Sequence, residues 1–264
     1  LVGCSSQFTP STPPQAEPIV LALYATDATL PLAQRIATDY QRVVPDVRVV
    51  ATQDDYNALL DRVRNDDNPD TSSGYALSLH LRTGADLWSA PLARDAVVVI
   101  VNPLNPVTSL QSADVRRVYQ GFVTDWSELG GNEASIVVYS RESSADVRLE
   151  FERLVMGQRL ITPNARVVPS VDAMLAAVAE DTAAVGYLPY SRLTDVVRPL
   201  AIDGASPTRD TIASNRYPLR STLFIIGQRA PQGPYLALIN WMQGAVGRDL
   251  IEQQYVPLAL TPTN

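Results

Sequence analysis

Lysine is absent from this 264-residue chain, so all 21 basic residues are arginine. Such usage reflects genomic composition or heat adaptation, arginine being suited to ion-pair networks. Histidine and cysteine occur once each, at His80 and Cys4. A lone histidine without Cys, Asp or Glu partners at ligand spacing is read as structural, so no metal site is expected. There is no cysteine nucleophile, Gly-x-Ser-x-Gly elbow, histidine pair or glycine-rich nucleotide fingerprint, and the acidic residues are scattered; an enzyme is not expected. The formal charge of -7, with no basic run, argues against a nucleic-acid surface. No stretch is long and apolar enough to span a bilayer. What is present is ordinary: 46% hydrophobic and 19% charged residues, enough for one large or two modest packed domains.

The most informative stretch is 137–157. Ile136–Tyr139 has the β-branched composition of a buried strand. Val147, Phe151, Leu154 and Val155 then fall at the spacing of a helix face, and Gly157 closes the helix. Between them Ser143, followed three residues later by Asp146, has the form of a capping box. A strand that turns into a helix start aims free N–H groups and the positive end of the helix dipole at one place. That is an anion seat, with Arg141 and Arg148 beside it, or an ordinary capped turn.

Strand and helix patterns alternate along the rest of the chain. Ile19–Ala25 and Val47–Ala51 read as strands. A helix after the Thr26–Thr29 turn should bury Leu32, Ile36, Tyr40 and Val43. Another, after the helix-start acids Asp54 and Asp55, should bury Leu59, Leu60 and Val63. Residues 65–74 read as a loop. The unbroken apolar run Ala96–Val101 suggests a strand buried on both faces. Ser112–Tyr119 reads as a capped helix closed by Gly121, and Pro234–Gln254 as a helical segment interrupted at Gly244 and Gly247.

Several of these motifs together resemble the phosphate-binding proteins of bacterial phosphate ABC transporters. Their turn reads Arg-Glu-x-x-Ser-Gly-Thr-Arg with Phe three residues on; Arg141, Glu142, Arg148 and Phe151 match it, while Ala145-Asp146-Val147 replaces the Ser-Gly-Thr. Thr26-Asp27-Ala28-Thr29-Leu30-Pro31-Leu32 corresponds to the family's first ligand turn. Asp125-Trp126-x-x-Leu129-Gly130-Gly131 matches its Asn/Asp-Trp-x-x-Leu-Gly-Gly element, and Gly74 falls where its proton-accepting Asp stands. The likeness runs from about Ile19 to Leu258.

The resemblance implies an α/β, two-domain type II periplasmic-binding-protein fold hinged on two crossing strands. Residues 19–97 with 224–264 would form one domain and 98–223 the other, behind an N-terminal segment 1–18. It implies an extracytoplasmic, monomeric, cofactor-free component of an ABC importer that captures phosphate or a related oxyanion and delivers it to a permease. A non-transporting sensor or interaction lipoprotein that kept the fold and lost phosphate is the alternative. The candidate ligand residues are Thr26, Asp27, Ala28, Thr29, Arg141, Ser143, Ser144, Ala145, Asp146 and Val147. Leu1-Val2-Gly3-Cys4 resembles a lipobox, with Cys4 as lipidation site and the Pro-rich residues 5–18 as a tether to the membrane.

Overall fold

A computed structural model describes residues 18–65, 74–82 and 86–258. Cys4, its tether and most of the expected loop lie outside these residues. In chain order the elements are β1 (Ile19–Ala25), α1 (Leu30–Val43), β2 (Val47–Gln53), α2 (Tyr56–Asn65), β3 (Tyr75–Ser78) and β4 (Trp88–Val101). Next come β5 (Ser109–Leu110), α3 (Ser112–Gln120), β6 (Val137–Arg141), α4 (Asp146–Phe151), β7 (Arg166–Val168), α5 (Val171–Glu180) and β8 (Ala184–Pro189). The chain continues through β9 (Arg198–Pro199), β10 (Ala201–Ile202), α6 (Arg209–Ala213), β11 (Arg220–Gly227), α7 (Gly233–Gln243) and α8 (Ala245–Glu252).

The main sheet runs β2-β1-β3-β11-β4-β8-β6-β7, with β9 also on β4. Its two ends are parallel triplets, β2-β1-β3 and β8-β6-β7. Between them lies the antiparallel pair β4 and β11, and β4 belongs to both ends. Trp88–Ala96 pairs with β11, and Val97–Val101 pairs with β8. Val97–Val101 is fully buried, as a run apolar on both faces requires. On β11 the register shifts between Leu223 and Phe224, a local irregularity of the kind that bends a strand.

The helices follow their periodicity with local exceptions. In α1, Leu32, Ile36 and Tyr40 are buried, but Val43 is 58% exposed, and the next residue, Val44, packs against the core instead. Helix α2 buries Leu59, Leu60 and Val63, and Asp55 accepts from the N–H groups of Asn57 and Ala58 as a cap should. Gly121 ends α3 at φ 77; its N-cap is Gln111 without a side-chain bond, and Ser112 Oγ donates instead to Asp203. Gly244 separates α7 from α8, whereas Gly247 lies inside α8 and does not interrupt it. A Cβ there would stand 2.3 Å from the Trp241 carbonyl oxygen, so glycine allows the two helices to touch.

The Trp126 element has a physical reason for its spacing. Asp125 caps a 3-10 turn, and Trp126, buried, donates from Nε1 to the Ala183 carbonyl at 2.8 Å. Gly130 takes φ 79, and a Cβ on Gly131 would press against Trp126. Farther on, Asn102 donates to the Val178 and Ala179 carbonyls, closing the C-terminal end of α5. At the other end of α5, Ser170 Oγ accepts from Ala173 N at 3.0 Å. Ser170→Ala should cost about 1 kcal/mol in urea unfolding; no measurable change would show that water replaces the cap.

One apolar cluster holds Leu23, Leu32 and Ile36 together with Val98, Val171, Met174 and Val178. It therefore draws on both ends of the sheet. A second, around Trp126, Phe151 and Tyr187, fills the β8-β6 end, and a third lies under α2.

Candidate functional site

Strands β1, β3 and β6 all end toward one place, and in open α/β sheets ligands sit beyond the carboxyl ends of the strands. After β1 the chain makes a tight turn, with Thr29 N and Leu30 N both donating to the Thr26 carbonyl. Thr29 Oγ1 donates to the Leu77 carbonyl at 2.9 Å, so this hydroxyl ties β1 to β3 rather than facing outward. Ala28 is buried in the core. Thr26 Oγ1 is left to point across toward β6.

The expected capping box at Ser143 does not form. Helix α4 begins at Asp146 with Ala145 as its N-cap and no side-chain cap bond. Ser143 is exposed, and Ser144 accepts from Tyr56 N through its carbonyl at 3.0 Å. The reason is that Asp146 is used elsewhere. Its Oδ2 accepts from Thr26 Oγ1 at 2.9 Å, from Leu79 N at 2.9 Å and from Ser78 Oγ at 3.3 Å. Its Oδ1 accepts from Val147 N at 2.8 Å. Val147 itself packs into the second core cluster. The carboxyl is fully buried, and burial raises its pKa against the opposing bonds from Leu79 N and Thr26. After Met156 the helix, which finishes in a π-helical turn over Glu152–Met156, stops at Gly157 with φ 62.

Arg141, at the end of β6, is 1% exposed. Asp27 grips it in a fork, with Nη1 to Oδ2 at 3.1 Å and Nη2 to Oδ1 at 3.0 Å. Glu142 takes Nε at 3.1 Å and Nη2 at 2.7 Å, while the carbonyls of Val168 and Pro169 accept from Nε and Nη2. Every guanidinium nitrogen is thus used. Burial alone would lower the pKa of Arg141, but Glu142 and Asp27 hold it raised. Asp27 Oδ2 also accepts from Val171 N at 2.8 Å, at the first turn of α5.

A second set of bonds surrounds this one. Glu150 Oε1 lies 2.7 Å from His80 Nδ1, and Glu150 also pairs with Arg153 at 2.6 Å. Burial would raise the Glu150 pKa; the His80 and Arg153 contacts hold it lowered. Arg148 pairs with Glu152 and donates to the Arg141 carbonyl at 2.7 Å. Arg192 donates to the Asp27 carbonyl at 3.1 Å and to Asp172 at 2.6 Å.

The arrangement is reciprocal. Asp27, from the β1 end, satisfies Arg141 and the start of α5; Asp146, from the β6 end, satisfies Thr26, Ser78 and Leu79. The donors brought together here are of a kind that can hold oxyanion oxygens, and protein carboxylate oxygens accept from them. Of the sequence candidates, Thr26, Asp27, Arg141 and Asp146 meet here, with Ala145 and Val147 shaping the turn; Ser143 does not take part. Ser78, Leu79 N, Glu142 as a partner of Arg141, and Val171 N were not among the candidates. Their signal is positional, since Ser78 and Leu79 stand at the carboxyl end of β3. Among the described residues, no group of three or more His, Cys, Asp or Glu is placed to hold a metal ion, and no helix is long and apolar enough to cross a membrane.

A family model described as the PBP superfamily domain matches residues 12–246. The phosphate-binding protein PstS of Borreliella burgdorferi is 22% identical over 174 residues, covering 61% of this chain and 62% of the relative. That of Bacillus subtilis is 27% identical over 125 residues, covering 45% and 40%. The chain thus matches less than two thirds of the length of these relatives. Among solved structures, an ABC-type phosphate transport receptor from Vibrio cholerae is similar at a TM-score of 0.76 and 25% identity, over 90% of this chain and 99% of that one. A putative phosphate ABC transporter substrate-binding protein from Clostridium perfringens, determined with bound phosphate, gives a TM-score of 0.82 at 22% identity, over 91% and 99%. The α/β architecture with its two long crossing strands is the type II periplasmic-binding-protein fold of these neighbours. The chain belongs to the PBP superfamily.

Proposed function

We propose that this chain is the extracytoplasmic solute-binding component of an ABC importer, receiving phosphate or a related oxyanion between its two halves. One observation carries the reading. Thr26 Oγ1 and Leu79 N, each at 2.9 Å, and Ser78 Oγ, at a longer 3.3 Å, converge on a single carboxylate oxygen, Asp146 Oδ2. The phosphate-binding relatives and the Vibrio cholerae receptor support the choice of anion. Hinge motion about β4 near Val97, and about the irregularity at Leu223 and Phe224, would part residues 19–97 and 224–264 from 98–223. The role is binding rather than catalysis; a monomer tethered through lipid at Cys4 and delivering to a membrane permease completes it.

The occupied seat favours a second reading, the non-transporting sensor or interaction lipoprotein. Arg141 already faces two carboxylates, so it offers a phosphate dianion no unmatched charge. Calorimetric titration of the wild-type chain at pH 7 with phosphate, then sulfate, decides between them. The importer reading expects 1:1 heat with phosphate, weaker than micromolar. Silence with every oxyanion at millimolar concentration would overturn it in favour of the sensor.

A further inference from the structure

We infer that Asp146 and Asp27 are built-in ligands: they occupy the oxyanion seat, hold the two halves together without solute, and set the threshold an incoming anion must exceed. This rests on the oxyanion reading of the seat, and extends it to how the seat is regulated.

Asp146 projects from the start of α4 and finds its acceptors' partners on the opposite half, at Thr26, Ser78 and Leu79. Asp27 projects the other way, onto Arg141 and the first N–H of α5. Each half thus supplies the anion that the donors of the other half require. Neither carboxylate is a local cap. Asp146 is separated from its partners by 120, 68 and 67 residues, and Asp27 from Arg141 by 114. These are the kinds of contact by which a solute bridges two lobes, made here by side chains that are always present.

Two physical consequences follow. An attached carboxylate competes at an effective concentration set by the chain, millimolar or higher, and not by the solution. A solute therefore binds only to the fraction of molecules in which the seat has been vacated, and its apparent affinity falls by that fraction. The charge is also unfavourable to a dianion. Arg141 is matched by Asp27 and Glu142, and Asp146 adds a further carboxyl among neutral donors.

The test uses the full chain and the variants Asp146→Gly, which removes the side chain, and Asp146→Asn. The amide keeps the shape, but whichever way it turns its N–H pair meets a backbone N–H, of Leu79 or of Val147, so at least one of the carboxylate's bonds is lost and the seat should loosen. Circular dichroism establishes that each variant is folded. Inorganic phosphate is titrated calorimetrically, and small-angle X-ray scattering follows compactness with and without phosphate. We expect Asp146→Gly to bind phosphate about 100-fold more tightly than wild type. We also expect its unliganded form, and that of Asp146→Asn, to be more open than wild type, with phosphate re-closing the glycine variant. Sub-micromolar binding by wild type with no gain in the variant would overturn the built-in ligand while leaving the oxyanion reading standing. Opening of both variants without binding of any oxyanion would leave only the contact between the halves standing and overturn both the threshold for an anion and the oxyanion reading. Neither opening nor binding would overturn both.

Discussion

Replacing Arg141 with methionine should cost about 3–5 kcal/mol of stability, read by guanidinium or urea unfolding. Arg141 is 1% exposed and carries two carboxylates and two backbone carbonyls. Methionine fills much of the volume but leaves Asp27, itself 14% exposed at the side chain, without its cation. The cost is the penalty for stranding that charge and is not a measure of what the intact pair contributes. A double-mutant cycle separates the two. With Asp27→Asn in the same chain the stranded charge is gone, so the double variant should lose at least about 1 kcal/mol less than the sum of the singles. A loss below about 1 kcal/mol for Arg141→Met alone would mean that water reaches Asp27 and Glu142, and that the fork does not hold the halves.

The second large effect concerns Asp95, where β4 passes from one end of the sheet to the other. It is fully buried and accepts from Ala96 N at 2.7 Å, Ser191 N at 3.1 Å and Ser191 Oγ at 2.6 Å. Burial pushes its pKa up from 3.8 to about 7, with Asp146 adding repulsion and the Ser191 and Ala96 bonds opposing. The folded state thus keeps a proton that the unfolded chain has already lost. The stability this gives is fully present below pH 4 and is lost as pH rises to about 7. About three pH units at 1.36 kcal/mol each give about 4 kcal/mol. Asparagine keeps the acceptor for the two N–H groups and can donate to Ser191 Oγ, but it does not ionise. Wild type and Asp95→Asn should therefore be similar in stability near pH 4, and the variant should be more stable by up to about 4 kcal/mol near pH 8. Urea unfolding of both at several pH values gives the difference directly. A difference independent of pH would show that Asp95 is ionised in the native protein throughout the range.

Much of the fold was legible because its signals are local. The buried run at Val97–Val101, the faces of α1 and α2 and the helix-closing Gly121 and Gly157 each rest on a few adjacent residues and appear in the structure. The exceptions are also local in origin. Val43 and Gly247 follow the pattern rules, but their surroundings, a helix end where Val44 takes the core position and a close helix pair, are decided by packing. The site was legible as a place and not as a set of bonds. A four-residue spacing can suggest that Ser143 caps α4, but it cannot reveal that Asp146 has a better set of donors on β1 and β3. Asp27 beside a turn gives no sign that its partner is Arg141, 114 positions away. Such pairings depend on how the two ends of the sheet are brought together, and one sequence holds no periodicity that encodes them.

The apolar cluster that holds Leu32 and Ile36 with Val171, Met174 and Val178 bears on how the chain melts. If each half had its own sealed interior, one could denature while the other stayed intact. Here α1 and α5 both contribute to one connected cluster that also takes in Val98 of β4, so loss of either helix should open an interior that the other helps to line. Either loss carries the full hydration penalty of the shared surface. Unfolding of the two halves should therefore be linked through this cluster, to be read as a single transition in calorimetry of the whole chain. Damage along this shared cluster should lower the melting temperature of both halves.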